Sequence, residues 1–464
     1  MSFVSVAFAE LGAFVLLVRI LLNWIGNHHG LYLRTLLLFG IVFYAWYRPE
    51  YLLVLLIPAS LDFIFAKLIH FYFSNYVLKR TLLVCSLSMN LGILFFFKYF
   101  NFFFSLLGSQ FSVDLELPLG ISFFTFQSMS YTIDVYRGVI QPVKKFEKFL
   151  LFVSFFPQMV AGPIVRAKEL FYQFDRRRRI QSKVWAHGLF LILSGLFLKV
   201  VLADHLAGVV NKYWDIAYGA DSRANFSGSL ALLFSGQIFC DFAGYSNMAR
   251  GIAYLLGFRL PINFDFPYIA PSFSNFWQRW HMTLSQWLRD YLYISLGGNR
   301  VSKWRIYLNL MLVMLIGGFW HGASLCFIVW GGIHGLALII ERGLGFNQKT
   351  ESSPVIFRFG WYLVVQVTVM IAWIFFRTDT LQHGLRFVSS IFRGHWNQKL
   401  ESDIGFSFLF LVPVVLMHFR KFLMERDFSV MTYPVEVSIA SGLMIYLLLT
   451  TYAESTSSFI YFHF

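Results

Sequence analysis

Twelve apolar runs, near residues 3–22, 35–47, 51–71, 82–107, 117–136, 186–203, 226–257, 306–319, 324–340, 355–376, 404–418 and 435–452, leave this 464-residue chain little choice of fold. A helix rises 1.5 Å per residue, so about 20 residues cross a hydrocarbon layer of about 30 Å. Lipid offers no water to a stray N–H or C=O, and a run of this kind satisfies its own backbone by coiling into a helix. Some runs are shorter than a crossing. The expectation is an all-α polytopic membrane protein with roughly 10 to 12 transmembrane helices, plus segments that enter part-way or lie at the interface. No repeat, linker or low-complexity region divides the chain, so residues 1–464 read as one membrane-embedded domain.

Composition excludes the soluble classes. Hydrophobic residues make up 58% and charged residues 13%, with a mean hydropathy of +0.62, far from a soluble domain. In such a domain a net charge of +14 would point to nucleic acid. Here the basic residues gather in short turns between apolar runs, which is the pattern of membrane orientation. No nucleic-acid role is expected. Cys85, Cys240 and Cys326 lie inside apolar segments without metal-ligand spacing and read as small buried hydrophobes. The opening MSFVSVAFAELGAFVLLVRILLNW lacks a basic lead and stays apolar past any small-residue cleavage point, so it reads as a retained first span.

The basic turns are Arg19 with Arg34, Lys79 with Arg80, Arg137 to Lys148, Arg176 to Arg179, Arg300 to Arg305, Arg342 with Lys349, and Arg420 with Lys421. Placing them in the cytoplasm puts both termini outside. The segment Phe149 to Pro163 is flanked by basic residues and broken by Pro157, Gly162 and Pro163, so it is expected to enter and return on the cytoplasmic side. Arg176 to Arg179 with Lys183 has the charge to hold an anionic lipid or phosphorylated cofactor, but plain orientation accounts for it. On the opposite side, Leu381, Leu385, Val388, Ile391 and Phe392 are spaced as on an interfacial amphipathic helix.

Two histidines carry the functional reading, because a polar ring in apolar surroundings is costly. In FWQRWHMTLSQWLRDYLYISLGGNR, Trp277, Trp280, Leu284, Trp287, Leu288 and Tyr291 recur three and four apart, while Gln278, His281, Ser285 and Arg289 recur on another face. The pattern predicts one helix, lying at a membrane interface or lining a polar tunnel, with His281 turned from the lipid. From Ile306 to Phe319 only Asn309 is polar, and those residues cover about 21 Å of helix, short of a crossing. His321 falls at the end of this partial span beside Gly317, Gly318 and Gly322, where the backbone can bend.

Other constellations carry less. Asp241, Tyr245, Ser246 and Asn247 interrupt an apolar run as a polar network that either positions helices or lines a path. Asp290 with Arg289 or Arg279 suits an ion pair. His334 sits about 220° round a continuous helix from His321 and reads as a core histidine. There is no defensible Ser-His-Asp order, no metal site, and no phosphate loop, since LGG in ISLGGNR lacks the following Lys and Ser or Thr.

The strings PLGISFFTFQSMSYTIDVYRG, FFPQMVAGPIVR, DFAGYSNMARGIAYLLGF, FWQRWHMTLSQWLRDYLYISLGGNR, GGFWHGAS and the terminal FIYFHF resemble the membrane-bound O-acyltransferase (MBOAT) family from about residue 40 to the end. The nearest branch is that of bacterial polysaccharide O-acetylation, which includes alginate O-acetyltransferase membrane subunits. The resemblance implies a fold around a central tunnel, with His321 as the histidine of the WHG motif and His281 as that of the second motif. Trp280, Trp320, Ser285 and Asp290, near the two histidines in sequence, are the candidate tunnel-lining, donor-binding residues. Asn247, Ser295 and Leu325 depart from the branch pattern, and both histidines are spared. The resemblance also implies acetyl-CoA as donor with no permanently bound cofactor, an envelope polysaccharide as final acceptor, and a periplasmic SGNH-type (serine-esterase-like) acetyltransferase as partner; the amphipathic stretch Leu381 to Phe392 either anchors the chain at the membrane or is the surface where that partner docks.

The chemistry suits this. A hydroxyl is a poor nucleophile near neutral pH, and a positioned neutral imidazole that takes its proton as it attacks a thioester gives about 10² to 10⁴ in rate. Two readings compete with acetyl transfer: D-alanyl transfer from a carrier protein to teichoic acid on the same fold, and a proton-coupled secondary transporter whose buried His and Asp relay protons. A scaffold that only anchors an external enzyme would leave His321 dispensable.

Overall fold

The computed structural model describes residues 6–25, 29–46, 48–109, 111–114, 116–159, 162–176, 181–219, 226–346, 354–393, 402–424 and 434–450. Outside them lie 177–180, which hold most of the Arg176 cluster, Lys349, residues 394–401 and the terminal FIYFHF. Among the described residues every regular element is a helix.

Among the described residues, six helical stretches are long and apolar enough to cross a membrane: Pro49–Phe71, Tyr76–Leu106, Ser182–Ala217, Leu325–Gly343, Val355–Arg377 and Ser402–Leu423. Gly12–Leu22, His29–Ala45 and Ala440–Thr450 are apolar but shorter. The run near 117–136 becomes the helix Ile121–Tyr136, buried from Ile121 through Thr132. A helix buried all round that carries Ser122, Thr125, Gln127, Ser128 and Ser130 is a core element and not a lipid-facing one.

The chain divides into two compact units, Met1–Ile192 with Asn247–Pro261, and Leu193–Ser246 with Ile262–Phe464. The helix Ser227–Leu255 contributes to both.

In the first unit, Leu52–Phe71, Tyr76–Leu94 and Ile121–Tyr136 pack on one another. The buried Asp62 carboxylate accepts from Ser86 Oγ at 2.6 Å and Asn90 Nδ2 at 2.8 Å, which fixes the first two helices. The segment Phe149 to Pro163 is broken, into Phe146–Val153 and Phe156–Met159, but the break falls at Ser154 and Phe155, and Pro157 lies within the first turn of the second helix, where its missing N–H costs nothing. Its Phe149, Phe152, Phe155 and Phe156 are fully buried. Phe155 meets Phe258 at 5.3 Å and Phe152 meets Phe171 at 5.1 Å, both edge-on.

The second unit is organised by a hairpin of Lys303–His321 and Leu325–Gly343. Glycine lets the two backbones approach: a Cβ on Gly318 would strike the Phe327 carbonyl, and one on Gly331 the Met314 carbonyl. Gly331→Ala therefore destabilises, by about 1–3 kcal/mol or more for a contact that only a backbone shift relieves. The check is a lowered thermal midpoint in detergent, against Gly360→Ala, where nothing lies within 4 Å. Val355–Arg377 packs on the hairpin and contributes the fully buried Trp373. Leu381–Arg393 is the expected amphipathic helix, with its buried line on Gly384, Phe387 and Ser390. Phe387 lies tilted against Trp214 at 4.3 Å. Leu381, Val388 and Ile391 also pack inward, whereas Leu385 and Phe392 stay exposed.

A candidate active site of paired histidines

The segment around His281 is not the single helix its periodicity predicts. Phe273–Arg279 and Met282–Trp287 are separate helices, followed by the π-helical Leu288–Tyr293. His281 sits at the break with φ +40° and ψ +51°, a left-handed conformation that costs a non-glycine residue of order 1–3 kcal/mol and persists only where its surroundings impose it. The loop 263–265 does so. Met282 N–H donates to the Asn263 carbonyl at 2.9 Å, and Asp265 N–H to the Arg279 carbonyl at 2.9 Å. The turn takes His281 off the face it would share with exposed Gln278 and Arg289 and buries it completely.

Asn263 also sets the tautomer of His281. Its Oδ1 lies 3.2 Å from His281 Nδ1, 2.9 Å from Thr283 Oγ1 and 3.3 Å from the Thr283 backbone N. A backbone N–H can only donate, so Oδ1 is the acceptor of the group. Nδ2 correspondingly donates to Ser246 Oγ at 3.3 Å. His281 Nδ1 therefore carries the proton, and Nε2 presents its lone pair.

Burial pushes the His281 pKa down to about 3 from its ordinary 6.5. The unfolded chain binds a proton below about 6.5 while the folded chain does not. Stability contributed by this ring is complete above that pH and falls with acidification. Between pH 7.5 and 5 the loss is about 2 kcal/mol at 1.36 kcal/mol per unit. His281→Asn removes this part of the acid sensitivity, which thermal unfolding of both proteins at the two pH values measures.

His321 ends the helix Lys303–His321, and Gly322 continues the chain in extended form. Its ring is 3% exposed. Trp320 lies 5.0 Å from it between centroids, Trp330 5.1 Å and Phe376 5.2 Å. The His281 ring is 6.4 Å away, at 53°. Phe242 closes on His281 edge-on at 4.7 Å. Two imidazoles forty residues apart in sequence thus share one aromatic enclosure.

The other residues singled out from the sequence divide. Trp320 stands beside both rings, 6.3 Å from His281. Trp280 is buried between Trp373 at 4.7 Å and Phe264 at 4.9 Å. Ser285 is half-buried, its hydroxyl donating to the Trp280 carbonyl at 3.3 Å. Asp290 pairs with Arg289 at 2.7 Å, while Arg279 pairs with Asp265 at 3.2 Å. His334 is a core residue, 4.9 Å from Trp330 and 5.0 Å from Trp277. Among the described residues no three His, Cys, Asp or Glu gather as a metal site.

Three features escape the sequence reading. Asn263 is one. Glu341 is another: its buried carboxylate accepts from the N–H groups of Phe273 at 2.6 Å and Ser274 at 3.0 Å, capping the helix that leads to His281 and tying it to the hairpin that carries His321. The third is Lys199, buried between Asp204 at 2.8 Å and Asp241 at 2.7 Å. Asp241 adjoins Phe242, the ring against His281.

The sequence profile of the membrane-bound O-acyltransferase family matches residues 65–378, a span that holds both histidines and their aromatic enclosure. The chain belongs to this family and is an O-acyltransferase. It is 35% identical to a Pseudomonas putida protein named "probable alginate O-acetylase", over 92% of this chain and 94% of the relative. A Pseudomonas aeruginosa protein of the same name is 38% identical over 78% of this chain and 70% of its own length. A Helicobacter pylori peptidoglycan O-acetyltransferase is 38% identical over 76% and 72%.

Proposed function

We propose that this protein is an O-acetyltransferase of the bacterial inner membrane that takes acetyl groups from cytoplasmic acetyl-CoA and passes them toward an envelope polysaccharide. Relatives named for alginate and for peptidoglycan support the acetyl group and the glycan acceptor. The observation that carries the mechanism is the pair of buried imidazoles 6.4 Å apart. Two neighbouring hydroxyls of a sugar, each about 2.8 Å from a nitrogen on one of the rings, fit that separation.

His321 acts as general base toward the attacking hydroxyl, and His281 Nε2 accepts from a neighbouring hydroxyl of the same sugar and so orients it. As the hydroxyl oxygen attacks the thioester carbonyl, its proton passes to His321. The carbon–sulfur bond breaks, and the departing thiolate takes the proton back from the imidazolium. The dry aromatic enclosure keeps hydrolytic water from the thioester. Where the final acceptor is a polymer, a periplasmic SGNH-type transferase receives the acetyl group outside the membrane, with Leu381–Arg393 as its docking helix.

Asn263 serves this site as a positioning residue. Asn263→Ala frees the His281 tautomer, and kcat falls about 10²-fold with the donor KM little changed. Steady-state kinetics of the two proteins check this split. The acceptor is tested by mass spectrometry of envelope glycans from a deletion strain. Loss of O-acetyl groups, restored by the wild-type chain and not by His321→Ala, is expected. Unaltered O-acetylation in the deletion strain would refute the reading.

A further inference from the structure

In the first unit the turn before Phe146–Val153 and the helix Ala167–Phe174 enclose a cleft of about 470 Å³. Lys144, Lys145, Lys148 and Lys168 line it, with Asp175 as its carboxylate and Phe171 in its wall. Asp175 Oδ1 accepts from Lys148 Nζ at 2.7 Å, and that ammonium stands 5.4 Å from the Phe171 ring. One cation is thereby matched. Glu147, the acid beside the turn, is engaged by Arg34 at 3.2 Å. Lys144, Lys145 and Lys168 are exposed and have no ion pair among the described residues.

Orientation of a membrane chain needs positive charge in the turn, not its convergence on one concavity. Three unmatched ammonium groups around a cleft raise a focused positive potential and repel one another until an anion enters. The volume lies within the roughly 300–1,000 Å³ of small-molecule sites. Lysine meets phosphate as a point charge with several rotatable donors. Ile140, Pro142 and Phe171 give the anion's neighbouring group an apolar surface.

We propose that this cleft is a binding site for a phosphate-bearing anion. The shared chemistry has two sources: a soluble diphosphate such as that of a nucleotide, or the headgroup of an anionic phospholipid. The site stands apart from the acetyl-transfer reading and does not depend on it.

The test uses the full chain and the variant Lys144→Gln/Lys145→Gln/Lys168→Gln, which spares the Lys148–Asp175 pair. One arm titrates inorganic pyrophosphate into protein held in phosphatidylcholine nanodiscs. The other counts phosphatidylglycerol molecules retained in native mass spectrometry. Wild type binds in at least one arm, the glutamine variant binds about 100-fold more weakly there, and the matching triple arginine variant recovers. Pyrophosphate binding assigns the soluble source, and phosphatidylglycerol retention the lipid. Binding by wild type in neither arm, or equal binding by wild type and glutamine variant in both, overturns the proposal. If the triple glutamine variant is not monodisperse, Lys168→Gln alone replaces it, with an expected loss of about fivefold.

Discussion

Replacement of His321 by alanine is expected to leave a monodisperse protein in detergent and to lower acyl transfer by about 10² to 10⁴. The fold should survive because the enclosure around this ring holds itself together. Trp330 meets Phe376 at 5.5 Å and Phe327 meets Phe376 at 5.0 Å, and the hairpin that carries His321 closes through Gly318 and Gly331. Loss of the ring opens a small cavity, costing a few kcal/mol at most. Size-exclusion chromatography and an activity assay on the same preparation separate the two effects. Normal transfer by the variant would remove His321 from the mechanism. His281→Gln should retain measurable activity, because an amide oxygen can still accept from the neighbouring hydroxyl that orients the sugar.

The largest loss of stability is expected at Lys199, which has no part in the proposed chemistry. Its ammonium lies between two buried carboxylates within the π-helical turn Phe197–Ala203. Lys199→Met leaves Asp204 and Asp241 facing each other without their cation, which costs about 3–5 kcal/mol for a broken buried ion pair. Adding Asp204→Asn and Asp241→Asn to the same protein should recover most of that loss. Thermal midpoints of the single and triple variants measure it. If the triple variant is as unstable as the single one, the charge argument fails.

Both predictions concern residues that the sequence discloses unequally. His321 is legible because its run is too short to cross and ends among glycines, and the structure ends the helix there. His281 is legible as a candidate but not in its setting. Periodicity runs unbroken through Trp280 and His281, and the left-handed turn is imposed by a loop that hydrophobic spacing does not register. Asn263 gives no local sign, since its role depends on a partner eighteen residues away. Lys199 does give one, a lone lysine inside an apolar run with Asp204 just beyond it, and intramembrane charge of that kind calls for a buried partner.

The long spans are the most legible part of the fold, because length and apolarity alone specify them. Runs such as 117–136 are less so. Helices that face protein on all sides and helices that face lipid share the same composition, and only tertiary packing separates them. The approach of the two histidines to 6.4 Å follows from the hairpin and the capped helix at Glu341, neither of which sequence spacing specifies.

The most direct test of the account is transfer by the purified chain. Protein reconstituted in liposomes receives acetyl-labelled acetyl-CoA on its cytoplasmic side, and label is followed into an SGNH-type transferase or an oligosaccharide outside. The account predicts label outside with wild type and its loss with His321→Ala. No transfer by wild type, or undiminished transfer by a protein lacking both His281 and His321, would contradict it.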